Sequence, residues 1–146
     1  VGMKLERLPL RARWDRALLA YMRAVDKSKP VVWTGDLNVA HTPWDCANDK
    51  KRRNKVAGCT QQERDAFGAV LADGAFVDVW RRQHPRTMHF TFWSYKFQAR
   101  QKNNGFRLDY WVASRRLLDE DRVGPTWIRS RAVGSDHVPI GITIKP

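Results

Sequence analysis

The sequence predicts one domain of mixed helices and strands, of the α/β or α+β class. Two amphipathic segments repeat apolar side chains at the three- and four-residue spacing that is typical of helices. Several short apolar runs, bounded by polar residues or glycine, are typical of strands. The chain has 146 residues, of which 42% are hydrophobic, enough for one domain with its own core.

The first helix is predicted from about Arg11 to Asp26. Its apolar face consists of Trp14, Leu18, Met22 and Val25. The second helix begins at the capping box Thr60–Glu63, and Gly74 is its predicted C-terminal stop. Residues 41–59, between the two helices, are polar and predict a long loop, a kind of segment that is often functional.

Five apolar runs predict strands. They are Val31–Thr34, Phe90–Tyr95, Leu108–Ala113, Trp127–Val133 and Ile140–Ile144. The first is uniformly apolar and predicts a buried strand, whereas the second and last alternate in the manner of a strand with two different faces.

The chain is strongly basic, with 27 Lys and Arg against 15 Asp and Glu and a net charge of +12. This excess favours a polyanionic partner such as nucleic acid, although a generic basic protein has the same composition. Cys46 and Cys59 lie in the predicted loop; free thiols are favoured, and a disulfide closing the loop stays open. No apolar run reaches the length that spans a bilayer, so no membrane partner is expected.

Three polar strings adjoin predicted strands: Gly35–Asn38, Arg107–Tyr110 and Gly134–His137. Each presents a carboxylate, and two of them add an Asn or a His. A carboxylate, an amide and an Asp-His pair are the groups that cut a phosphodiester with a metal ion and an activated water. Taken singly, each string has an ordinary structural alternative.

Asp36 and Asn38 point to the same side if the strand stays extended, but both residues are also common in turns. Asp109 interrupts an apolar strand and needs a partner, for which a His is suitable because a carboxylate orients the imidazole ring. Alternatively, its strand lies at an edge and Asp109 faces water. Asp136 and His137 form either a phosphate-binding pair or a solvated turn.

Together the strings resemble the exonuclease III-like apurinic/apyrimidinic (AP) endonucleases, within the wider endonuclease/exonuclease/phosphatase superfamily. The matching segments are TGDLNVAH at Thr34–His41, AGCTQQER at Ala57–Arg64, TFWSY at Thr91–Tyr95, NNGFRLDYWVAS at Asn103–Ser114 and GSDHVPI at Gly134–Ile140. They cover essentially the whole chain in the family's order. The resemblance implies an α/β fold: half of a four-layered, DNase I-like sandwich with a mixed, mostly antiparallel sheet and flanking helices.

The resemblance also implies roles. Asp36 matches the water-orienting general base, and Asn38 the residue that contacts the scissile phosphate and approaches a metal. His137 matches the catalytic histidine and Asp109 its carboxylate partner. Asp136 matches a metal ligand, and the implied cofactor is Mg²⁺, with Mn²⁺ as an alternative.

Phe92, Phe106 and Leu108 match the apolar pocket that receives the flipped-out abasic sugar, with ordinary core packing as the alternative for the aromatic rings. Further residues match DNA-contacting positions, with a solvated charge run as the alternative for the basic loop. The expected DNA contacts are Lys51, Arg52, Arg53, Lys96, Phe97 and Arg100.

The family's principal Glu metal ligand and its catalytic Tyr have no match here, and Val1–Asp15 resembles the segment that follows that Tyr. Residues 1–146 are therefore expected to be the C-terminal half of the domain, inactive alone and partnered by a complementary N-terminal fragment.

The expected function is metal-dependent cleavage of double-stranded DNA 5′ to an abasic site in base-excision repair, with 3′–5′ exonuclease or 3′-phosphodiesterase activity as an addition. The alternatives are a nonspecific nuclease or a phosphatase of the same superfamily, and an inactive DNA-binding half-domain. The expected location is the nucleus or another DNA-containing compartment such as the mitochondrion, or the cytoplasm of a bacterium.

Overall fold

The computed structural model describes residues 5–146, so the first four residues of the matched segment Val1–Asp15 lie outside the described residues. Its helices are α1 (Leu8–Asp26), α2 (Asp49–Arg52), α3 (Gln61–Leu71), α4 (Val79–Gln83) and α5 (Arg115–Asp119). Its strands are β1 (Val32–Asp36), β2 (Phe76–Asp78), β3 (Asp109–Ser114), β4 (Val123–Ile128) and β5 (Ile140–Ile144). Single 3₁₀ turns occupy Pro43–Asp45 and Lys96–Gln98.

The two predicted helices are confirmed as α1 and α3. Helix α1 begins three residues before the prediction, with a proline in its first turn, where a missing N–H costs nothing. At the start of α3 the Glu63 N–H donates to Thr60 Oγ1 at 3.2 Å, and the Thr60 N–H donates to Glu63 Oε2 at 3.2 Å. Gly74 follows the helix in the left-handed region, with φ of 74°.

The first sheet has the order β1-β3-β2, and the second consists of β4 and β5. Every strand pairing found in residues 5–146 is antiparallel, as the mostly antiparallel prediction requires. In the β1–β3 register, Trp33 lies opposite Val112 and Asp36 lies opposite Asp109. Because side chains alternate between sheet faces, these two pairs point to opposite sides.

Helices α1 and α3 cover one face of the first sheet. The core there consists of Met22, Leu37, Val39, Phe67, Val70, Phe76, Tyr110 and Val112. On the opposite face, Ala113 and the partly buried Trp111 pack with Val79 and Leu117, next to Ile142 of the second sheet. The fold is therefore layered as helices, sheet and second sheet, and Asp36 and Asp109 belong to the face turned towards the second sheet.

Two strand predictions need correction. Residues 90–95 form no regular strand; only isolated bridges join Phe92 to Phe106 and to His137. The strand predicted at Trp127–Val133 is wrong: β4 occupies Val123–Ile128 and the chain then turns. Strand β4 contains Pro125 at a register shift between Val123 and Thr126, an irregular position where proline is tolerated.

Burial and loop content also differ from the predictions. The first strand is not fully buried, because β1 lies at the edge of its sheet and Val32 is 37% exposed. The loop at residues 41–59 contains the 3₁₀ turn Pro43–Asp45 and helix α2. Short elements such as β2, α4 and α5 are not predicted from the sequence, because three to five residues do not establish a period.

Among the described residues, no helix combines the length and apolar character needed to cross a membrane.

Candidate functional site

Antiparallel pairing brings the first two polar strings together. Strand β1 ends at Asp36 and β3 begins at Asp109, and these two residues are register partners. One residue further, the Leu37 N–H donates to the Leu108 carbonyl oxygen at 2.8 Å, which extends the pairing beyond the strands. Two carboxylates thus share one end of the sheet, on the face turned towards the second sheet.

The chain turns sharply after Asp36, so the extended backbone assumed for Asp36 and Asn38 does not persist. Asn38 has a left-handed backbone with φ of 50°. Its N–H donates to Asp36 Oδ1 at 2.9 Å and its side-chain amide donates to Asp36 Oδ2 at 3.0 Å. The two side chains still meet, but through a tight Asx-type turn instead of a shared strand face.

His137 completes this group. Its Nδ1 lies 2.8 Å from Asp109 Oδ2, and because an ionised carboxylate only accepts, Nδ1–H is the donor. Its Nε2 lies 3.9 Å from Asp36 Oδ2. The imidazole is therefore held between two carboxylates, hydrogen-bonded to one and turned towards the other, with all three side chains partly open to solvent.

The pKa of Asp36 is raised above its usual range. The main cause is partial burial, and the neighbouring Asp109 charge adds to it; the Asn38 hydrogen bonds and His137 act in the opposite direction. A carboxylate with a raised pKa is a stronger proton acceptor once ionised.

Thr91 ties the second and third strings together, a role that the sequence did not reveal. Its buried Oγ1 accepts the N–H groups of Leu108 at 3.0 Å and Asp109 at 3.1 Å. Its carbonyl oxygen accepts the Val138 N–H at 2.9 Å. One residue thereby fixes both the carboxylate and the chain beside His137; the only available signal was its place in the TFWSY segment.

A buried ion network supports the same strands. Arg107 Nε donates to Asp45 at 2.6 Å, and its terminal nitrogens donate to Asp78 at 3.1 and 2.6 Å. The guanidinium lies 4.2 Å from the centre of the Tyr110 ring, whose hydroxyl donates to the Val39 carbonyl at 2.6 Å. The network thus extends from β3 to the chain just after Asn38.

The charges in this network stabilise one another. Burial alone would raise the pKa of Asp45, but Arg107 and Arg81 hold the pKa of that carboxyl well below its usual range. Asp45 is completely buried, and it looked like an ordinary loop residue in the sequence.

The predicted pocket residues do form one apolar cluster. It consists of Ala40, Cys46, Cys59 and Leu108, with Phe92 and Phe106 partly buried at its edge. The centre of the Phe92 ring lies 4.9 Å from that of His137, so the cluster adjoins the carboxylate–histidine group. The Arg52 guanidinium lies 4.4 Å from the centre of the Phe106 ring and covers part of this surface.

The other predicted DNA contacts differ in availability. Lys51 and Lys96 are exposed, and Phe97 is 86% exposed with a left-handed φ of 60°. Arg53 donates to Asp49 at 2.7 Å. Arg100 donates to the carbonyl oxygens of Ser130, Ala132 and Ser135, so its described contacts hold the loop before His137.

The candidate oxygen donors for a metal ion fall into two groups, Asp36 with Asn38 and Asp136 by itself. Asp36 and Asn38 supply carboxylate and amide oxygens, which are the hard ligands that Mg²⁺ and Mn²⁺ prefer. The Asp136 backbone carbonyl accepts the Trp93 N–H at 2.9 Å. Asp136 also lines an open cavity of about 270 Å³ next to Arg100. Within residues 5–146 no group of three acidic, His or Cys side chains could hold a metal. Asp36 and Asn38 therefore offer two neighbouring oxygen donors of the kind that divalent cations prefer.

A sequence profile for the endonuclease/exonuclease/phosphatase family matches residues 5–137, which include all three polar strings. The chain belongs to this family. Among relatives, a DNA-(apurinic or apyrimidinic site) endonuclease of Dictyostelium discoideum is 44% identical over 142 residues, covering 96% of this chain and 38% of the relative. An exodeoxyribonuclease of Bacillus subtilis is 42% identical over 141 residues, covering 96% of this chain and 54% of the relative.

The fold agrees with the family as well. The crystal structure of an AP endonuclease from Leishmania major superposes with a TM-score of 0.88 at 28% identity, covering 99% of this chain and 47% of that one. The α/β fold of the AP endonucleases is thereby confirmed. The chain spans about half or less of the length of these three family members.

Proposed function

We propose that this chain supplies one side of the active site of a DNA-repair nuclease that hydrolyses the phosphodiester 5′ to an abasic site. The observation that carries the proposal is the group in which His137 Nδ1 bonds Asp109 while its Nε2 faces Asp36 across 3.9 Å. Support comes from the names of the relatives, an AP-site endonuclease and an exodeoxyribonuclease.

In this proposal Asp36 accepts a proton from the attacking water. Its raised pKa strengthens it as a base, and the two hydrogen bonds from Asn38 fix its orientation. The Asn38 side chain then turns from Asp36 to a phosphate oxygen. His137, oriented by Asp109, directs Nε2 to another phosphate oxygen and stabilises the charge that develops there.

Asn38 and Asp136 are the residues proposed to hold Mg²⁺, together with a carboxylate from outside residues 1–146. A bound divalent ion offsets the phosphate charge and stabilises the leaving oxygen. The hard-oxygen donors also accept Mn²⁺.

The apolar cluster beside His137 is proposed to receive the sugar that lacks a base. Phe92, Phe106 and Leu108 present a small apolar surface next to the reacting group, and a complete nucleotide needs more room and polar partners. This contact would favour abasic DNA over intact DNA.

The net charge of +12 favours double-stranded DNA as the partner. Lys51 on α2 and Lys96 and Phe97 on the second 3₁₀ turn are exposed and are the first candidates for contacts to the duplex. Arg52, Arg53 and Arg100 can add to these contacts once their present partners are exchanged.

The remaining ligands are proposed to come from an N-terminal half of the same domain. Apolar side chains stay exposed on β1, β4 and β5, including Val32, Trp127 and Ile144, and such surfaces suit a protein interface. Under this proposal residues 1–146 are a C-terminal half, and the assembled domain works where genomic DNA is kept: the nucleus, a mitochondrion or the cytoplasm of a bacterium.

The test compares the full-length protein with residues 1–146 alone on three substrates in Mg²⁺: duplex DNA with one abasic site, intact duplex and a soluble phosphate monoester. The full-length protein should incise only the abasic duplex efficiently, and residues 1–146 should cleave none. Equal cleavage of intact duplex would instead identify a nonspecific nuclease, and hydrolysis of the ester a phosphatase. Incision by residues 1–146 alone would contradict the half-site proposal.

A second candidate activity is 3′–5′ exonuclease cleavage, which the exodeoxyribonuclease relative favours. Release of mononucleotides from a recessed 3′ end by the same full-length protein would establish it.

A further inference from the structure

The two cysteines of the chain face each other inside the protein. Their sulfur atoms lie 3.1 Å apart, close enough for an S–H···S hydrogen bond. Both side chains are completely buried and neither is in a disulfide. They are 13 residues apart in sequence, so the approach is produced by the fold of the segment between them.

Cys46 and Cys59 are the two ends of the basic loop, residues 47–58. This loop contains α2 and the cluster of Lys50, Lys51, Arg52, Arg53 and Lys55. The Asn54 N–H donates to the Cys59 carbonyl at 3.0 Å, and Asn48 and Asn54 both have left-handed backbones. The loop is therefore compact, and its two ends come together where the sulfur atoms of Cys46 and Cys59 lie side by side.

The pair also belongs to the apolar cluster. Cys46 forms an isolated backbone bridge with Phe106, and both cysteines pack with Leu108. Arg52, from the middle of the loop, covers the Phe106 ring. A covalent link between the sulfurs would thus fix the loop to the wall of the cluster.

We propose that Cys46 and Cys59 form a reversible intramolecular disulfide that closes the basic loop in response to a small-molecule disulfide. The sulfurs need to approach by about 1 Å to reach the usual bond length of about 2.05 Å. This inference goes beyond the proposed nuclease function and does not depend on it.

The chemistry balances through thiol–disulfide exchange with glutathione disulfide. The Cys46 thiolate attacks one sulfur of the small disulfide, forms a mixed disulfide and releases one thiolate. The Cys59 thiol gives up its proton through solvent to the glutathione thiolate already released, attacks the Cys46 sulfur and expels the second thiolate, which takes up the proton that Cys46 had lost to solvent. Two protein thiols are oxidised and one disulfide is reduced to two thiols.

Cys46 is the suitable first nucleophile. The hydrogen bond from Cys59 lowers the pKa of the Cys46 thiol and the nearby Arg52 charge acts in the same direction, whereas burial opposes them. The same hydrogen bond and burial raise the pKa of Cys59. Reaction needs a transient opening of the loop, because both sulfurs are buried, so the exchange should be slow.

The experiment uses the full-length protein in glutathione buffers of increasing disulfide content, quenched with acid, alkylated under denaturing conditions and mapped by mass spectrometry. We expect a peptide pair linked through Cys46 and Cys59, 2 Da lighter than the two thiol peptides, that disappears on reduction. Glutathione adducts alone, links to other cysteines, or two alkylated thiols at every ratio would overturn the proposal.

Two physical readouts accompany the mapping. The disulfide closes a covalent ring and should raise the melting temperature of the oxidised protein by about 6–12 °C, as expected for a loop of this size. It should also slow tryptic cleavage at Lys50–Lys55 in the oxidised protein. The matched controls Cys46→Ala, Cys59→Ala and the double variant should show neither change with oxidation, and a shift of the same size in a control would contradict the assignment. None of these readouts requires nuclease activity, so a failed incision assay leaves the result interpretable.

Discussion

Two aspartates nine positions apart, Asp36 and Asp45, meet very different surroundings. Asp45 is completely buried and accepts hydrogen bonds from the Thr42 N–H, the Thr42 hydroxyl, Arg81 and Arg107. The Asp36 side chain is 35% exposed and, within residues 5–146, accepts hydrogen bonds only from Asn38. The pKa of Asp45 is held below its usual range, while that of Asp36 is raised.

The contrast shows that the number and charge of the donors, more than depth alone, decide what a carboxylate can do. Asp45 is surrounded by cations and is fixed as an anion, so it holds elements together. Asp36 is partly exposed and lies beside a second carboxylate and a histidine, so it can exchange a proton. Five predictions test this division between a structural and a reactive aspartate.

The largest expected effect is on catalysis. In the full-length protein, Asp36→Asn should lower the rate of abasic-site incision by about 10²–10⁴-fold, because an amide accepts no proton from water. Single-turnover kinetics measure the rate, and DNA affinity and melting temperature should stay near wild type. The exposed Asp119→Asn is the matched control with normal turnover. Near-normal incision by the Asp36 variant would end its assignment as the base.

The corresponding change at the buried carboxylate should act on stability. Asp45→Asn leaves Arg107 and Arg81 without their shared anion and should lower the free energy of unfolding by about 3–5 kcal/mol. Urea unfolding followed by circular dichroism gives the value. A loss below about 1 kcal/mol would mean that Asp45 is not the centre of the network.

The wild-type protein should lose stability in acid. The folded-state pKa of Asp45 lies below its value in the unfolded chain, so the unfolded chain binds the proton first and the free energy of unfolding falls as the pH drops below about 4. Asp49, paired with Arg64, contributes in the same direction. Unfolding measured from pH 6 to pH 2 should be less steep in Asp45→Asn than in wild type; equal slopes would refute the link to Asp45.

A smaller loss is expected at the residue that joins two strings of the site. Thr91→Val keeps the shape but leaves the Leu108 and Asp109 N–H groups without their acceptor, which should lower the free energy of unfolding by about 1–3 kcal/mol. Thr91→Ser keeps the hydroxyl and should retain most of the stability. If valine and serine behave alike, the hydroxyl contributes nothing.

The smallest effect concerns the basic loop. Lys51→Ala should weaken DNA binding slightly and reduce the slope of log affinity against log salt by about 0.9, the value for one phosphate contact. Lys29→Ala is the control, because Lys29 precedes β1 at the end away from Asp36. An unchanged slope for Lys51→Ala would show that this part of the loop does not touch the phosphates.

Much of the site could be predicted from the sequence because its groups lie in short strings next to strands. The cost of an unpartnered carboxylate in an apolar strand favours a histidine partner for Asp109, the family resemblance identifies that histidine as His137, and the structure has the bond. The roles of these residues in catalysis, the metal ligands and the DNA contacts stay predictions.

Other features depend on contacts distant in sequence. Asp45 lies in a polar loop. Its local sequence does not predict that it is buried and hydrogen-bonded to Arg107, 62 positions away. Residues 90–95 alternate as a strand should, but Thr91 turns its hydroxyl to the β3 backbone and only Phe92 forms bridges. Periodicity detects a local pattern, but it cannot show which neighbouring group forms hydrogen bonds with the backbone.

The left-handed backbone at Asn38 restricts which substitutions can be interpreted there. Asparagine, aspartate and glycine tolerate a φ of 50°, whereas most other residues are strained. Asn38→Ala therefore mixes a conformational cost with loss of the amide, while Asn38→Gly removes the amide and spares the turn. A mutational scan of position 38 would find few tolerated substitutions, for two unrelated reasons: the left-handed backbone and the need for the amide. Glycine separates these reasons, because it keeps the turn and removes the amide.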